Sequence, residues 1–206
     1  VAQRQNVKLG GGLTGVVEGS GKTGRAIITH GAGRGLDATL LEKTAERLAE
    51  LGFKVLRFNF DYIGKRPAPS ALGKKEQGEL VEAIDYMKGS GPLIIAGKSF
   101  GARVASYVAA ERADIDTLVF YGLPLQGIKA TKPRDWSHLE KLKGHVLFIT
   151  GDNDKLCPLD ELKKVQKSMR CRWESKIVKG DHSFKPKSED TAVELCIEWL
   201  RSLYGM

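Results

Sequence analysis

The chain has 206 residues, 41% of them hydrophobic and 28% charged, with 33 Lys and Arg against 25 Asp and Glu for a formal charge of +8. That length buries one sizeable core and predicts a single domain, 1–206, while the composition excludes a disordered, collagen-like or disulfide-stapled chain. No apolar run approaches the roughly 20 residues of a membrane span, and Val1-Ala2-Gln3-Arg4-Gln5-Asn6 has no apolar h-region, so neither a membrane anchor nor a signal peptide is expected.

Cys157, Cys171 and Cys196 form an odd set with no C-x-x-C spacing. This argues against a disulfide framework and a structural zinc site, and it makes the cytoplasm the expected compartment. The excess positive charge is spread along the chain, as in Lys74-Lys75, Lys163-Lys164, Lys185 and Lys187, and no basic block alternates with aromatics. It reads as solvated helix and loop faces, not as a nucleic-acid platform.

In chain order, residues 5–9 and 13–18 predict short strands joined by the Gly10-Gly11-Gly12 turn, an antiparallel edge. Gly19-Ser20-Gly21-Lys22-Thr23 resembles the end of a phosphate-binding loop but lacks its frame. The pattern needs glycine where Val16 stands, and a buried strand, Arg25 to Thr29, follows instead of a helix. The strand leads into His30-Gly31-Ala32-Gly33-Arg34-Gly35 and an amphipathic helix from Asp37 to Leu51. The glycines here run G-x-G-x-G, and no acid lies about twenty residues on at a strand end, so a dinucleotide site is not indicated. A strand over Phe53–Phe58 passes into Asn59-Phe60-Asp61-Tyr62 and a loop through Gly73, followed by a helix over 74–88.

The strand Leu93–Ala96, the turn Gly97-Lys98-Ser99-Phe100-Gly101 and the helix Phe100–Arg112 come next. After them the pattern gives a strand over Thr117–Tyr121, then a loop over Gly122–Lys143 with a short helix around Trp136–Leu142. A strand at His145–Thr150, a helix at Leu159–Met169, a strand at Arg172–Val178 and a helix at Ser188–Leu203 complete the chain. Apolar strands alternating with helices from residue 25 onward predict an α/β fold whose mostly parallel sheet is covered on both faces.

Within that fold the G-x-S-x-G turn between strand and helix reads as a nucleophile elbow, which lifts the Ser99 hydroxyl above the carboxyl edge of the sheet. A base for Ser99 must come from a loop that follows a strand. His145 precedes its strand, His138 has no strand directly before it, and His30 precedes the serine and reads as a hinge of its own loop. His182 follows the strand ending at Val178 and is the candidate. The orienting acid belongs between serine and histidine, in Gly151-Asp152-Asn153-Asp154, where Asp152 and Asp154 are both placed to hold the imidazole. The backbone N–H of Phe100 and that of Ala32, in the glycine loop, are the candidate oxyanion donors.

The set H-G-A-G (30–33), F-N-F-D-Y (58–62), G-K-S-F-G-A-R (97–103), G-D-N-D-K-L-C-P (151–158) and G-D-H-S-F (180–184) resembles the small α/β-hydrolases related to dienelactone hydrolase. It looks closest to the bacterial branch that shares its domain with testis-expressed and NSL-complex subunits of animals. Gly122-Leu123-Pro124-Leu125 and Pro133-Arg134-Asp135-Trp136-Ser137-His138-Leu139 also look like that branch. The resemblance implies the α/β-hydrolase fold without a large cap domain, and it puts the acid at the fourth residue of G-x-x-D, here Asp154. Dienelactone hydrolase itself uses a cysteine nucleophile, so Ser99 argues against that activity.

The expectation is a cofactor-free, metal-free serine hydrolase, carboxylesterase- or thioesterase-like, acting on a small-molecule acyl substrate. Asp61, Tyr62, Trp136 and Leu125 are candidate substrate-binding walls, each following a strand end or lying in the short insertion. The alternative of another class is a non-catalytic interaction module or complex subunit on the same fold, as the animal relatives imply.

Overall fold

The structure, a computed structural model, describes residues 4–65, 68–127, 133–185 and 188–206. Parts of two expected loops, 66–67 and 128–132, and Lys187 lie outside the described residues. Strands β1 (Gln5–Lys8) and β2 (Thr14–Glu18) pair antiparallel through the glycine turn, and β2 pairs antiparallel with β4 (Phe53–Phe58). After them come β3 (Gly24–Thr29), α1 (Thr39–Glu50), β4 (Phe53–Phe58), α2 (Lys74–Tyr86), β5 (Leu93–Lys98), α3 (Phe100–Ala110) and β6 (Thr117–Tyr121). The chain ends with β7 (His145–Gly151), α4 (Leu159–Ser168), β8 (Arg172–Val178) and α5 (Ser188–Tyr204).

The described residues form one eight-stranded sheet in the order β1-β2-β4-β3-β5-β6-β7-β8, parallel from β4 to β8. The order reverses between β3 and β5, so the carboxyl ends of these two central strands flank the crevice where ligands gather in open α/β sheets. Each face of the sheet carries its own apolar layer. On one side Leu41 and Leu48 of α1 and Ile197 and Leu200 of α5 pack against Ile28, Ile94 and Leu147. On the other, Leu80 of α2, Ala102 of α3 and Leu162 of α4 cover Ile27, Ile95 and Phe120. This double burial is why the central strands read as continuous apolar runs.

One expected element differs in kind, and one strand is less covered than its neighbours. The helix expected around Trp136–Leu142 is a 3-10 turn over Ser137–Lys141, too short to settle into α geometry and held by Trp136 beneath it. Strand β8 is the sheet's edge, with most of its side chains exposed, Trp173 and Ile177 among them. Among the described residues no helix is long and apolar enough to cross a membrane.

Candidate functional site

The turn between β5 and α3 is built by small residues on both sides of Ser99. A Cβ on Gly97 would stand 2.5 Å from the Ala102 nitrogen, and one on Gly101 would stand 2.6 Å from Thr29 Oγ1. Only glycine lets the first turn of α3 close this tightly on β5 and β3. The compression is taken up at Ser99, which is forced to φ 52°, ψ −111°, a conformation rare for a residue with a side chain. Such strain costs on the order of 1–3 kcal/mol and persists where packing over-determines it. The Ser99 N–H donates to the Tyr121 carbonyl at 2.9 Å, continuing the β5–β6 ladder by one step and fixing where Oγ points.

Ser99 Oγ lies 2.7 Å from His182 Nε2. His182 Nδ1 donates in turn to Asp154, 2.8 Å from Oδ2 and 3.0 Å from Oδ1. The Asp154 side chain is fully buried and accepts three further bonds, from the Leu156 and Cys157 N–H groups at 2.8 and 3.1 Å and from the Thr150 hydroxyl at 3.2 Å. Burial by itself would raise its carboxyl. The His182 hydrogen bond and charge, the Leu156 N–H and the Lys98 charge outweigh that and hold it below the usual carboxylate range. Asp152 points elsewhere, accepting the Gly180 N–H at 2.9 Å, and so braces the loop that carries His182 without touching the ring. Gly122, at φ 62°, leaves room for the pair: a Cβ there would sit 3.1 Å from Asp154 Oδ2 and 3.2 Å from His182 Nδ1.

Ser99 and His182 open onto a cavity of about 400 Å³, within the range of small-molecule sites. The β3–α1 loop and the start of α1 form one wall, with Ala32, Ala38, Leu40 and Leu41, and Leu156 and Lys98 lie opposite, so the lining is mainly apolar. Arg34, Lys185 and Glu189 stand among its polar groups. Phe100 opens α3, where first-turn N–H groups have no acceptor within the helix and the helix dipole favours negative charge. Ala32 is exposed on the cavity side.

The other residues singled out from sequence lie around this cavity, not in its lining. Tyr62 is buried behind the β3–α1 loop, its hydroxyl donating to the Ala32 carbonyl at 3.1 Å, so it braces that loop from the back. Asp61 is drawn to the surface by Lys65 and by Lys75, the latter at 2.7 Å, a pairing that pulls its carboxyl down to about 2. Trp136 and Leu125 belong to the core: Trp136 Nε1 donates to the Leu125 carbonyl at 2.9 Å, and both side chains are buried. A large apolar side chain after a strand end gains more by packing under the short insertion than by facing an open cleft, which is what sends these two inward. The lining supplied by α1 was missed because Leu40 and Leu41 carry only the ordinary signal of a helix core face.

His30 and His138 are held in neutral structural roles. Burial lowers the His30 pKa. Its Nε2 accepts the Phe60 N–H at 3.0 Å, which leaves Nδ1 to donate to the Gly31 carbonyl at 2.8 Å, so the ring ties β4's exit to the β3–α1 loop. His138, stacked on Tyr107 with centroids 4.0 Å apart, is brought by burial to about 4. Burial raises the Cys157 and Cys196 thiols to about 12, which leaves them unreactive. Among the described residues no group of His, Cys, Asp and Glu side chains is arranged to hold a metal ion.

Residues 22–200 match the family model of the alpha/beta hydrolase domain. An uncharacterised protein of Rickettsia prowazekii is 27% identical over 153 residues, which span 69% of this chain and 63% of that one, less than two thirds of the relative's length. Among solved structures, a protein of unknown function from Agrobacterium tumefaciens assigned to the α/β hydrolases superposes with a TM-score of 0.82 at 21% identity, covering 98% of this chain and 97% of that one. Dienelactone hydrolase from Anabaena variabilis gives a TM-score of 0.75 at 19% identity, again over 98% and 97%. At these identities the likeness is one of fold.

Proposed function

Since this chain belongs to the α/β-hydrolase family, we propose that it is a serine hydrolase that cleaves small esters or thioesters through an acyl-enzyme on Ser99. The observation that carries this reading is the unbroken chain of hydrogen bonds from Ser99 Oγ through His182 to a buried, ionised Asp154. A serine hydroxyl is a poor nucleophile until a base takes its proton as it attacks, and an imidazole oriented by a carboxylate is such a base.

In the first half-reaction Oγ attacks the acyl carbon while its proton moves to His182 Nε2. The Phe100 and Ala32 N–H groups hold the oxyanion, and Asp154 stabilises the imidazolium without taking its proton. His182 then gives the proton to the leaving alcohol or thiol. In the second half a water attacks the acyl-serine, His182 accepts its proton and returns it to Ser99, and the carboxylic acid leaves. The apolar cavity walls seat the acyl or alcohol portion of the substrate. No step calls for a cofactor.

Labelling with a fluorophosphonate probe tests the reading. The wild type should be labelled covalently, and Ser99→Ala should not be labelled at all. His182→Ala should react at a rate lower by roughly 10²–10⁴-fold, the usual contribution of a general base. An unlabelled wild type, or labelling that survives in Ser99→Ala, would refute it.

A further inference from the structure

The residue before Ser99 is a lysine, and the structure puts its cation in an unusual place. Lys98 ends β5 on the cavity side. Its Nζ donates to the His182 main-chain carbonyl at 2.6 Å and stands 4.8 Å from the centroid of the Phe184 ring. Among the described residues it makes no ion pair: Asp154 and Asp181 act on it only at longer range. Burial lowers its ammonium from 10.5 to about 8, so a charged Lys98 is held there against the cost of desolvation. An apolar side chain would fill the same space without that cost.

The loop that carries His182 has no ladder partner of its own. Its backbone is tied to the β7–α4 loop by Gly180 N–H to Asp152 and by Asn153 N–H to the Gly180 carbonyl, each at 2.9 Å. It is tied to itself by Asp181 accepting the Ser183 N–H at 2.8 Å. None of these contacts reaches the strand that bears the serine. Asp154 fixes the tilt of the ring at Nδ1 and the buried Phe184 anchors the far side of the loop, but among the described residues the only main-chain bond of His182 that reaches the nucleophile strand is the one at its carbonyl.

We propose that Lys98 is a positioning residue that fastens the His182 main chain to the nucleophile strand, so that serine and base keep their separation while protons pass between them. The inference rests on the serine-hydrolase reading. Nucleophile and base come from chain segments more than eighty residues apart, and a base displaced by about 1 Å loses on the order of 10²-fold in rate. A charged donor is the stronger choice for such a tie, roughly twice as strong as a neutral one.

The test compares wild type, Lys98→Met and Lys98→Arg. Lys98→Met keeps the apolar body and removes the donor, whereas Lys98→Arg keeps a cationic donor. Three quantities are read: the rate of fluorophosphonate labelling, kcat and KM on neutral p-nitrophenyl acetate and on the anionic mono-p-nitrophenyl succinate, and Tm. Lys98→Met should lose ~10–100-fold in labelling rate and in kcat on both esters, with KM within about twofold and Tm equal to or above that of the wild type. Lys98→Arg should recover part of the loss.

A Lys98→Met protein that is labelled and turns over at the wild-type rate overturns the proposal. So does a loss confined to KM on the anionic ester, which would make the ammonium a substrate contact, or a lowered Tm with an unchanged rate per folded molecule, which would make it packing. Absence of Ser99-dependent labelling in the wild type overturns the serine-hydrolase reading along with it, whereas equal labelling of wild type and Lys98→Met overturns this inference alone.

Discussion

Replacing Asp154 by asparagine should all but abolish turnover, and the structure says why through a tautomer. Oδ1 of Asp154 accepts the Leu156 and Cys157 N–H groups at 2.8 and 3.1 Å, so in the Asp154→Asn protein the amide oxygen must stay at that position. The amide nitrogen is then forced to the Oδ2 position, where it faces His182 Nδ1 at 2.8 Å and the Thr150 hydroxyl at 3.2 Å. Nδ1 is nearer this donor, at 2.8 Å, than the amide oxygen at the Oδ1 position, at 3.0 Å, so the balance shifts toward Nδ1 as acceptor with the ring proton on Nε2. The nitrogen that should take the Ser99 proton would then already carry one. The expected loss in kcat/KM is roughly 10³–10⁴-fold, about 4–5.5 kcal/mol of transition-state stabilisation, as for other triads whose orienting acid is neutralised. Asp152→Asn keeps a carbonyl oxygen for the Gly180 N–H and should stay within about threefold of wild type. The assay is p-nitrophenyl acetate hydrolysis at pH 6–9, with circular dichroism to show both variants folded. An Asp154→Asn protein within tenfold of wild type, or an equal loss in Asp152→Asn, would refute the reasoning.

Because the Asp154 carboxyl is held below its ordinary range despite burial, the stability it contributes is present above the unfolded-state value of about 3.9 and is lost as pH falls through the lower folded value. The Tm gap between wild type and Asp154→Asn should therefore narrow on acidification below pH 4, and a gap that widens would contradict the shift. Gly97→Ala puts a Cβ 2.5 Å from the Ala102 nitrogen. The overpacking should cost about 2–3 kcal/mol and lower Tm by roughly 4–12 °C, measurable by calorimetry. Ala38→Phe intrudes on the apolar wall of the cavity and should lower kcat/KM for p-nitrophenyl hexanoate at least tenfold more than for the acetate. Equal effects on both esters would remove Ala38 from the acyl path.

The fold was legible because its signals are local. Continuous apolar runs such as Leu93–Ala96 could only be strands covered on both faces, and chain order alone then sends the loops at Ser99, Asp154 and His182 to one edge of a parallel sheet. The residues by themselves could not separate Asp152 from Asp154. Both sit in the same turn, and which carboxyl faces the imidazole depends on how Leu156 and Cys157 present their N–H groups. The cavity lining was illegible for a related reason. Tyr62, Leu125 and Trp136 announce themselves as apolar residues near strand ends, but their direction is decided by packing between elements distant in the chain. β8 was grouped with the covered strands, although Arg172, Glu174, Ser175 and Lys176 are the polar residues of an edge strand that nothing pairs beyond among the described residues.

The loops at the carboxyl edge of the sheet share one physical problem: once past the ladder, their carbonyls and N–H groups have no regular partner. Here neighbouring side chains supply it. Tyr62 holds the Ala32 carbonyl, His30 the Gly31 carbonyl, Lys98 the His182 carbonyl, and Asp152 the Gly180 N–H. None of these side chains is positioned to exchange a proton or form a bond with an acyl group in the proposed reaction, but together they determine where the groups that do so must stand. Electrostatic stabilisation of a transition state depends on donors being in place beforehand, so loosening any brace should act on kcat while leaving KM nearly untouched. Tyr62→Phe separates this view from simple packing. It removes only the hydroxyl that reaches the Ala32 carbonyl, keeps the buried ring, and should lower kcat by roughly tenfold with a small change in Tm; a fall in Tm with kcat unchanged would leave Tyr62 as core and nothing more.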